Sequence, residues 1–311
     1  MDIHFNGVDF NSQSGPNTFA GRLAHQFTLD GHRIVGSEIY DVCLIFIEPT
    51  HNILPDKPTI QRLDGVWFKP NEFDTKNRLI KYTYNYVDAV VFQSEFNKKQ
   101  ITNWWGEPKK HTVIHNGIRL DTQAEPNDLE KFGGLAAIRQ QFTTVFCCSA
   151  NWHGQKRLRE NVRLFKHLQE FHPNSCLIVM GSNPEQIADK SIFYTGTLPH
   201  EICLLVYAIS DWMIHLAWAD HCPNVVVECL SQNTPVICTD CGGTQEIVKE
   251  NGVVIPETVK YDFGLADYDN PPSLDFSMFT NPLTKPQIDA SYLDIKIVAK
   301  QYEKLFESVI K

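Results

Sequence analysis

The 311-residue sequence lacks the features that mark membrane-spanning, secreted and nucleic-acid-binding proteins. No run of about 18 or more uncharged apolar residues is present, so we expect no membrane span. The opening residues, MDIHFNGVDF, carry acids but no basic region followed by a long apolar stretch, so no signal peptide is predicted. A net charge of −9 at pH 7 argues against binding to nucleic-acid phosphates, because such binding favours a basic surface.

Signals for a metal site or a dinucleotide cofactor are also missing. Cys238 and Cys241 form one CxxC pair near His221 and Cys222, but no second pair follows at ligand spacing, so we predict no metal site. The segment SGPNTFAG, residues 14–21, is not GxGxxG and no acid follows at the dinucleotide spacing, which disfavours a nicotinamide enzyme. We expect no prosthetic group.

The nine cysteines lie mostly in apolar, strand-like runs such as VFCCSA and DVCLIFI. This placement is typical of reduced thiols in a protein core and argues against a disulfide framework. The composition, 42% apolar and 21% charged, is that of a globular chain. A cytoplasmic location is therefore predicted.

Apolar strands and amphipathic helices alternate along the chain in two series. The first series contains the strands DIHFN, DVCLIFI, PTIQRL, AVVFQS and TVIHNGI, and a helix that places Phe19, Leu23 and Phe27 on one face. The second contains the strands TTVFCCSA, CLIVMG, FYTGTL, DWMIHLA, PVICTD and GVVI, and the helices RENVRLFKHLQEF, HEICLLVYAI and NVVVECLSQ. Strands that are apolar on both faces suit parallel sheets covered by helices.

The alternation predicts an α/β protein of two doubly wound, Rossmann-like domains, over residues 1–125 and 141–289. The polar stretch from Arg119 to about Gln141, which contains TQAEPNDLEKFGG and no strand, is interpreted as the region between them. A long amphipathic helix is expected over residues 290–311 or so. Two such domains form a deep cleft at the carboxyl ends of their strands.

Three of the four acids in the segment DHCPNVVVECLSQNTPVICTDCGGTQE are candidates for a site, namely Asp220, Glu228 and Glu246. Asp220 precedes the helix NVVVECLSQ and Glu228 lies about one turn into it, so both approach the space in front of the helix N-terminus. The helix dipole favours an anion in that space, and so do the backbone amides of Asn224, Val225 and Val226.

Carboxylates repel a phosphate, so the two acids are better explained if they bind neutral hydroxyl groups. A nucleotide sugar offers both a diphosphate and hydroxyls, although either acid alone also fits a solvated or capping residue. Residues 1–120 hold 13 acidic and 13 basic residues, against 24 and 15 in the remainder, so the pair Lys156 and Arg157 stands out. That pair is a candidate for neutralising phosphate, or else a solvated pair at a helix start, where basic residues are disfavoured.

The segment from Asp220 to Glu246 resembles the signature of retaining GT-B glycosyltransferases, two acids separated by seven residues, and especially that of glycosyltransferase family 4 (group 1). That family usually begins the signature with Glu, and its PVI, GG and EIV continuation is similar to TPVICTDCGGTQEIV here, with Asn233 where a Gly is common. Five further segments match in order and spacing: RLDG (62–65), VVFQSEF (90–96), VIHNGI (113–118), SANWHGQKRL (149–158) and TGTLPHEI (195–202). Each motif is weak alone, but the set is specific and covers most of the chain.

The resemblance implies a GT-B architecture in which the first domain binds the acceptor, the second binds the nucleotide sugar and the last helix packs back on the first domain. It also implies a metal-independent, retaining hexosyltransferase. The enzyme would move a hexose or deoxyhexose from a UDP- or GDP-linked donor to a hydroxyl of a glycan or glycoconjugate. The donor sugar and base, the acceptor, the oligomeric state and peripheral contact with a membrane stay open.

The matched motifs imply roles for individual residues of the donor site. Glu228 would bind the ribose hydroxyls, Asp220 the transferred sugar near its 3-hydroxyl, and Lys156 the leaving diphosphate. The family often has Arg five residues before this Lys, where this sequence has Asn151, so either Arg157 supplies a second charge or the clamp is weaker. The remaining implied donor-site residues are Gly196, Thr197 and Leu198 near the base, and Gly15 and Pro16 over the donor and acceptor.

Asp64 follows the strand PTIQRL and is expected on the acceptor side of the cleft. Many relatives carry His near this position and the donor phosphate can act as the base, so Asp64 is either the catalytic base or a group that positions the acceptor. Arg62 either joins this site or pairs with Asp64, and Glu246 either lines the pocket or caps the next helix. Two other functions stay open, a nucleotide-sugar hydrolase or epimerase of the same fold and a catalytically silent sugar-binding protein.

Overall fold

The computed structural model describes residues 1–12, 14–121, 124, 133–182 and 184–310. The first domain is built on a six-stranded parallel sheet with the strand order β2-β1-β3-β4-β5-β6. Its strands are β1 (Asp2–Asn6), β2 (Arg33–Val35), β3 (Val42–Phe46), β4 (Thr59–Leu63), β5 (Ala89–Phe92) and β6 (His111–Val113). Its helices are α1 (Gly15–Leu29), α2 (Phe73–Lys76), α3 (Arg78–Tyr86) and α4 (Glu95–Trp105).

The second domain repeats this plan with the strand order β12-β11-β10-β7-β8-β9, again entirely parallel. Its strands are β7 (Thr144–Ser149), β8 (Ser175–Met180), β9 (Ile192–Gly196), β10 (Trp212–His215), β11 (Val236–Thr239) and β12 (Gly252–Ile255). Its helices are α5 (Gly133–Gln141), α6 (Leu158–Leu168), α7 (His200–Ile209), α8 (Asn224–Ser231) and α9 (Thr244–Val248). The predicted α/β architecture of two doubly wound domains is confirmed.

One core of the first domain lies between the sheet, α1 and the last helix, α10 (Ile295–Val309), and a second one contains residues of α3 and α4. α1 buries Phe19, Leu23 and Phe27, as the spacing of its apolar residues predicted. α10 brings Tyr302 and Phe306, which are four residues apart on one helix face, into the same core. The end of the chain therefore returns to the first domain.

Most of the polar stretch TQAEPNDLEKFGG lies outside the described residues. α5 begins at its last two residues, and Leu135 of that helix packs into the core of the second domain. The second core thus receives residues that precede position 141, where the sequence placed the start of this domain.

Aromatic side chains join the two domains on one side of the cleft. Residues 256–290 form neither helix nor strand and run from β12 towards the first domain. In this segment Tyr268 packs on Phe68 with 4.7 Å between ring centroids, and Phe263 packs on Phe96 at 5.3 Å. Such aromatic pairs add roughly 0.5–1.5 kcal/mol each beyond their buried area. This cluster fixes how the carboxyl ends of the two sheets face each other.

Candidate active site

Three adjoining cavities fill the cleft between the two sheets. The central cavity, about 340 Å³, is lined from both domains, by Gly15, Pro16, Asp64, Asn116, Asn151, Lys156, Asp220, Asn224 and Val225 among others. The helix-side cavity, about 750 Å³, shares Gly15, Asn151, Asn224 and Val225 and extends to Thr197, Leu198, His200 and Glu228. The aromatic cavity, about 330 Å³, shares Asp64 and Asp220 and includes Trp67, Phe68, His153 and Tyr268.

Lys156 and Asp220 form an ion pair at the junction of the central and aromatic cavities. Lys156 Nζ lies 2.5 Å from Asp220 Oδ2, and His215 Nε2 lies 3.5 Å from the same oxygen. Burial alone would raise the pKa of the Asp220 carboxyl, but the charge of Lys156 and the ring of His215 outweigh it and hold that pKa well below its usual range. Asp220 is therefore an ionised carboxylate in the cleft.

A tight backbone turn places Lys156 opposite Asp220. Lys156 ends a single 3₁₀ turn, Gly154–Lys156, and the next residue, Arg157, has a left-handed backbone with φ of 51°. A Cβ at Gly154 would lie 1.9 Å from the carbonyl oxygen of Asp269, so a side chain at this position would push the turn away. The Gly in HGQK is thus required by close packing.

Asp64 stands between the central and aromatic cavities at the end of β4. Arg62 and Gln93 both donate hydrogen bonds to its Oδ1, and no hydrogen bond from the described residues reaches the buried Oδ2. Burial raises the pKa of Asp64, and the charge of Arg62 opposes that rise only in part. An unpartnered carboxylate oxygen with a raised pKa can accept a hydrogen bond, or a proton, from a hydroxyl group.

A chain of hydrogen bonds connects Asp64 in the first domain to α8 in the second domain. The fully buried Arg62 donates to Asn116 Oδ1 at 2.5 Å, and Asn116 Nδ2 donates to Asn224 Oδ1 at 2.8 Å. Asn224 Nδ2 in turn donates to the carbonyl oxygen of Gly15 at 2.7 Å. The start of α1, the end of β6 and the start of α8 are held together in this way.

The N-terminus of α8 opens on the central and helix-side cavities. Asn224 and Val225 line both, and their backbone amides have no acceptor within the described part of the chain. The amide of Val226 instead donates to the carbonyl oxygen of Pro223 at 3.1 Å, and its side chain is fully buried. Two amides, rather than the three that the sequence indicated, are therefore open to an anion.

Among the described residues, no group of three or more His, Cys, Asp or Glu side chains is arranged to hold a metal ion. No helix in the described chain has the length and apolar character needed to cross a membrane. All nine cysteines are free; eight are buried and Cys203 is partly exposed.

The second domain carries a family match. Residues 141–263 match the model of a protein family whose description is glycosyl transferases, group 1. The resemblance to group 1 glycosyltransferases is confirmed. An uncharacterised glycosyltransferase of Methanocaldococcus jannaschii is 28% identical over 188 residues, which are 54% of this chain and 44% of the relative. The chain thus covers less than half of the length of that curated relative.

Solved structures match nearly the whole chain. HepE of Anabaena, in complex with UDP and glucose, has a TM-score of 0.71 and 16% identity, with 99% of this chain and 100% of that chain covered. A glycosyltransferase of Rickettsia africae has a TM-score of 0.66 and 15% identity, with 100% and 98% covered. At these identities the likeness concerns the fold, and it confirms the predicted GT-B architecture.

Arg157, which the sequence offered as a second cation beside Lys156 unless the clamp is weaker, is directed away from the three cleft cavities. Its guanidinium donates to both carboxylate oxygens of Glu257, at 2.7 and 2.9 Å, and to the carbonyl oxygen of Pro272 at 2.8 Å. Both charged side chains of this pair are almost fully buried. Asn151 lines the cleft, but its Oδ1 accepts a hydrogen bond from Ser182 at 2.6 Å and it carries no charge. Lys156 is therefore left without Arg157 as a neighbour in the cavity.

Glu246 does neither of the two things that the sequence suggested. Its carboxylate accepts hydrogen bonds from the backbone amides of Glu95 and Phe96, at 2.7 and 2.8 Å, and so caps α4 of the first domain. His115 Nε2 lies 3.4 Å from the same carboxylate. Glu246 thus joins the two domains outside the three cavities.

The other predicted residues divide between the cavities. Glu228, Thr197 and Leu198 line the helix-side cavity, whereas Gly196, with φ of 70°, stands just before that wall at the end of β9. Sequence reasoning missed Arg22, which donates a hydrogen bond to Glu228 from α1 of the first domain. No motif marks Arg22, because its partner is 206 residues away in another domain.

Proposed function

We propose that this protein is a retaining glycosyltransferase that moves a hexose or deoxyhexose from a nucleoside-diphosphate sugar to a hydroxyl of a glycan or glycoconjugate. One observation carries the proposal. In a single cleft, Lys156 and the open amides of α8 stand between the carboxylate of Glu228 on one side and those of Asp220 and Asp64 on the other. Anion-binding groups flanked by hydroxyl-binding groups suit a nucleotide sugar.

The nucleoside is assigned to the helix-side cavity. There Glu228 accepts hydrogen bonds from ribose hydroxyls, and Thr197 and Leu198 are beside the base. The diphosphate is assigned to the central cavity, between Lys156 and the amides of Asn224 and Val225, where the helix dipole favours negative charge. The complexes of HepE with UDP and UDP-glucose support a nucleotide-sugar donor. We propose a UDP- or GDP-linked donor.

The transferred sugar is assigned to the space beside Asp220. When the diphosphate binds Lys156, the Asp220 carboxylate loses part of its ion pair and accepts hydrogen bonds from sugar hydroxyls. The acceptor is assigned to the aromatic cavity, where ring faces suit the apolar side of a pyranose and Asp64 orients the attacking hydroxyl.

In the proposed reaction the acceptor oxygen attacks the anomeric carbon on the face from which the nucleoside diphosphate leaves. The bond from the anomeric carbon to the phosphate oxygen breaks, a glycosidic bond forms, and the hydroxyl proton passes to the departing phosphate or to Asp64. Lys156 and the N-terminus of α8 stabilise the negative charge that develops on the diphosphate. These groups supply positive potential without a metal ion, so we propose metal-independent transfer. The buried, unpaired thiols support a cytoplasmic site of action.

Thermal-shift screening with UDP-, GDP-, ADP- and dTDP-sugars tests the donor assignment, because a ligand far above its dissociation constant stabilises the folded state. The donor that raises the melting temperature is then incubated with a panel of acceptors, and NMR gives the anomeric configuration of the product. We expect the configuration of the donor to be retained. The variants Glu228→Gln and Lys156→Ala each remove one proposed donor-binding group. If both variants transfer sugar at the wild-type rate, the proposal is rejected. Free sugar without acceptor indicates a hydrolase, and binding without turnover indicates a silent protein.

A further inference from the structure

We propose that Arg22 is a positioning residue for Glu228, which it holds from across the cleft so that the carboxylate recognises the ribose of the donor. This inference rests on the proposed function, since it concerns the nucleoside end of the same site. Arg22 is outside every motif that the sequence indicated, and its role follows from its contacts.

Arg22 spans the two domains. It extends from α1 of the first domain, and its Nη2 donates a hydrogen bond to Oε1 of Glu228 on α8 of the second. The side chains are only 13% and 8% exposed, so the pair is largely removed from water. A charge-assisted hydrogen bond in such surroundings is stronger and more directional than an exposed ion pair. Loss of Arg22 therefore leaves a buried carboxylate without its cation.

The two oxygens of the Glu228 carboxylate have different surroundings. Oε1 takes the guanidinium of Arg22, while Oε2 accepts no hydrogen bond from the part of the chain that the structure describes. Glu228 lines the helix-side cavity, so the second oxygen is available to a hydroxyl there. Arg22 thus fixes one carboxylate oxygen, and the other oxygen stays available to a ligand. This arrangement orients the carboxylate towards a sugar.

α1 meets α8 at a second point, which reinforces this orientation. The carbonyl oxygen of Gly15, the first residue of α1, accepts a hydrogen bond from Asn224, the first residue of α8. Asn224 and Glu228 are four residues apart and so share one face of α8, and Gly15 and Arg22 share one face of α1. Arg22 can hold Glu228 only while these faces stay in contact. Recognition of ribose is thus linked to the closed arrangement of the domains.

The unpartnered atoms of Arg22 fit the same role. Its Nη1 is buried without a hydrogen-bond partner among the described residues, and its Nη2 lies 3.4 Å from Nε2 of His200, which lines the helix-side cavity. Among the described residues, Glu228 is the one carboxylate that forms an ion pair with Arg22.

The test compares binding of UDP and GDP with binding of their 2′-deoxy forms by isothermal titration calorimetry, in the wild type, Arg22→Gln, Arg22→Lys, Glu228→Gln and the double variant. We expect Arg22→Gln to weaken binding of the ribonucleotide about tenfold, the usual effect of losing one charge-assisted hydrogen bond. The preference for ribose over 2′-deoxyribose should fall to that of Glu228→Gln, and the double variant should be no worse than Glu228→Gln alone. Arg22→Lys should restore part of the preference.

Arg33→Gln is the matched control, because Arg33 is a guanidinium of the same domain that pairs with Asp2 at the exposed edge of the sheet. It should leave binding and preference unchanged. Kinetics with the accepted donor should show a raised KM for Arg22→Gln with kcat within about threefold, since Arg22 is absent from the lining of the central cavity.

The outcomes separate the two proposals. An Arg22→Gln protein with a native melting transition that keeps the wild-type preference for ribose rejects the role of Arg22. A wild type that binds the ribonucleotide but transfers no sugar rejects the proposed function and leaves the comparison of variants valid. A wild type that binds neither nucleotide rejects both.

Discussion

Lys156 and Asp220 neutralise each other in the cleft, with 2.5 Å between Nζ and Oδ2. The cation proposed for the diphosphate and the carboxylate proposed for the sugar are thus paired with each other. Under the proposed function a diphosphate would compete with Asp220 for Lys156, and the freed carboxylate would become available to sugar hydroxyls. In the proposed site, binding of the diphosphate would therefore prepare Asp220 to bind the sugar.

Replacing Lys156 with Ala should reduce kcat by about 10²–10³-fold, as is typical when a group that stabilises developing charge is removed. The variant should also move the acid limb of the kcat/KM profile to higher pH. In the wild type the charge of Lys156 keeps the pKa of Asp220 low, whereas in the variant burial acts with less opposition and raises it. Lys166→Ala, which removes a lysine paired with Asp189 outside the cleft, should change neither quantity.

Arg157→Met should destabilise the protein without removing its donor site. The substitution leaves the buried carboxylate of Glu257 unpaired, and losing one partner of a buried pair costs about 3–5 kcal/mol. Arg159→Met is the control, since Arg159 pairs with Glu185 in an exposed position and its loss should cost less than about 1 kcal/mol. Urea unfolding measures both. If Arg157→Met folds but its KM for the donor rises tenfold, the result would contradict this prediction and would indicate that Arg157 binds the diphosphate.

The strands and the acidic segment could be predicted because their signals are local. β3, VCLIF, is buried at every position, so an uninterrupted apolar run sufficed to identify it. α4 was not predicted, because EFNKKQITNWW has few apolar residues. Its start instead depends on Ser94, whose Oγ accepts a hydrogen bond from the amide of Asn97. A capping contact of this kind is visible only when the backbone is in place.

The sequence predicted only those parts of the site in which both interacting residues belong to the same domain. Asp220 and Lys156 are 64 positions apart but follow strands of one sheet, so their meeting agrees with the order of the motifs. Arg22 and Glu246 act on residues of the other domain, and nothing in their surrounding sequence encodes how the domains meet. Arg157 follows Lys156 directly, yet its left-handed backbone turns it to the opposite side.

Glu246→Ala should loosen the contact between the domains. The carboxylate caps α4 through the amides of Glu95 and Phe96, and loss of such a cap costs about 0.5–2 kcal/mol. Hydrogen exchange of these two amides should become faster, whereas amides of β8, which is buried at every position in the second domain, should keep their protection. Glu246→Gln should show a smaller effect because its amide oxygen still accepts one hydrogen bond. Unchanged exchange at Glu95 and Phe96 in Glu246→Ala would contradict the capping role.

The buried ring of His221 should lower the free energy of unfolding as the solution becomes mildly acidic. Burial lowers the pKa of its ring to about 4, against an ordinary value of 6.5, because the charged form is poorly solvated among Gly65, Phe96 and Asn97. As pH falls below 6.5, the His221 ring is protonated in the unfolded chain but stays neutral in the folded chain. The contribution of neutral His221 to the free energy of unfolding is therefore fully present above pH 6.5 and is lost as pH falls towards 4. The loss between pH 7.5 and pH 5 amounts to about 2 kcal/mol. Urea unfolding of wild type and His221→Gln at both pH values measures it, since the variant should lack this part of the change. An equal loss in both proteins would mean that the ring of His221 is protonated in the folded state as readily as in the unfolded chain.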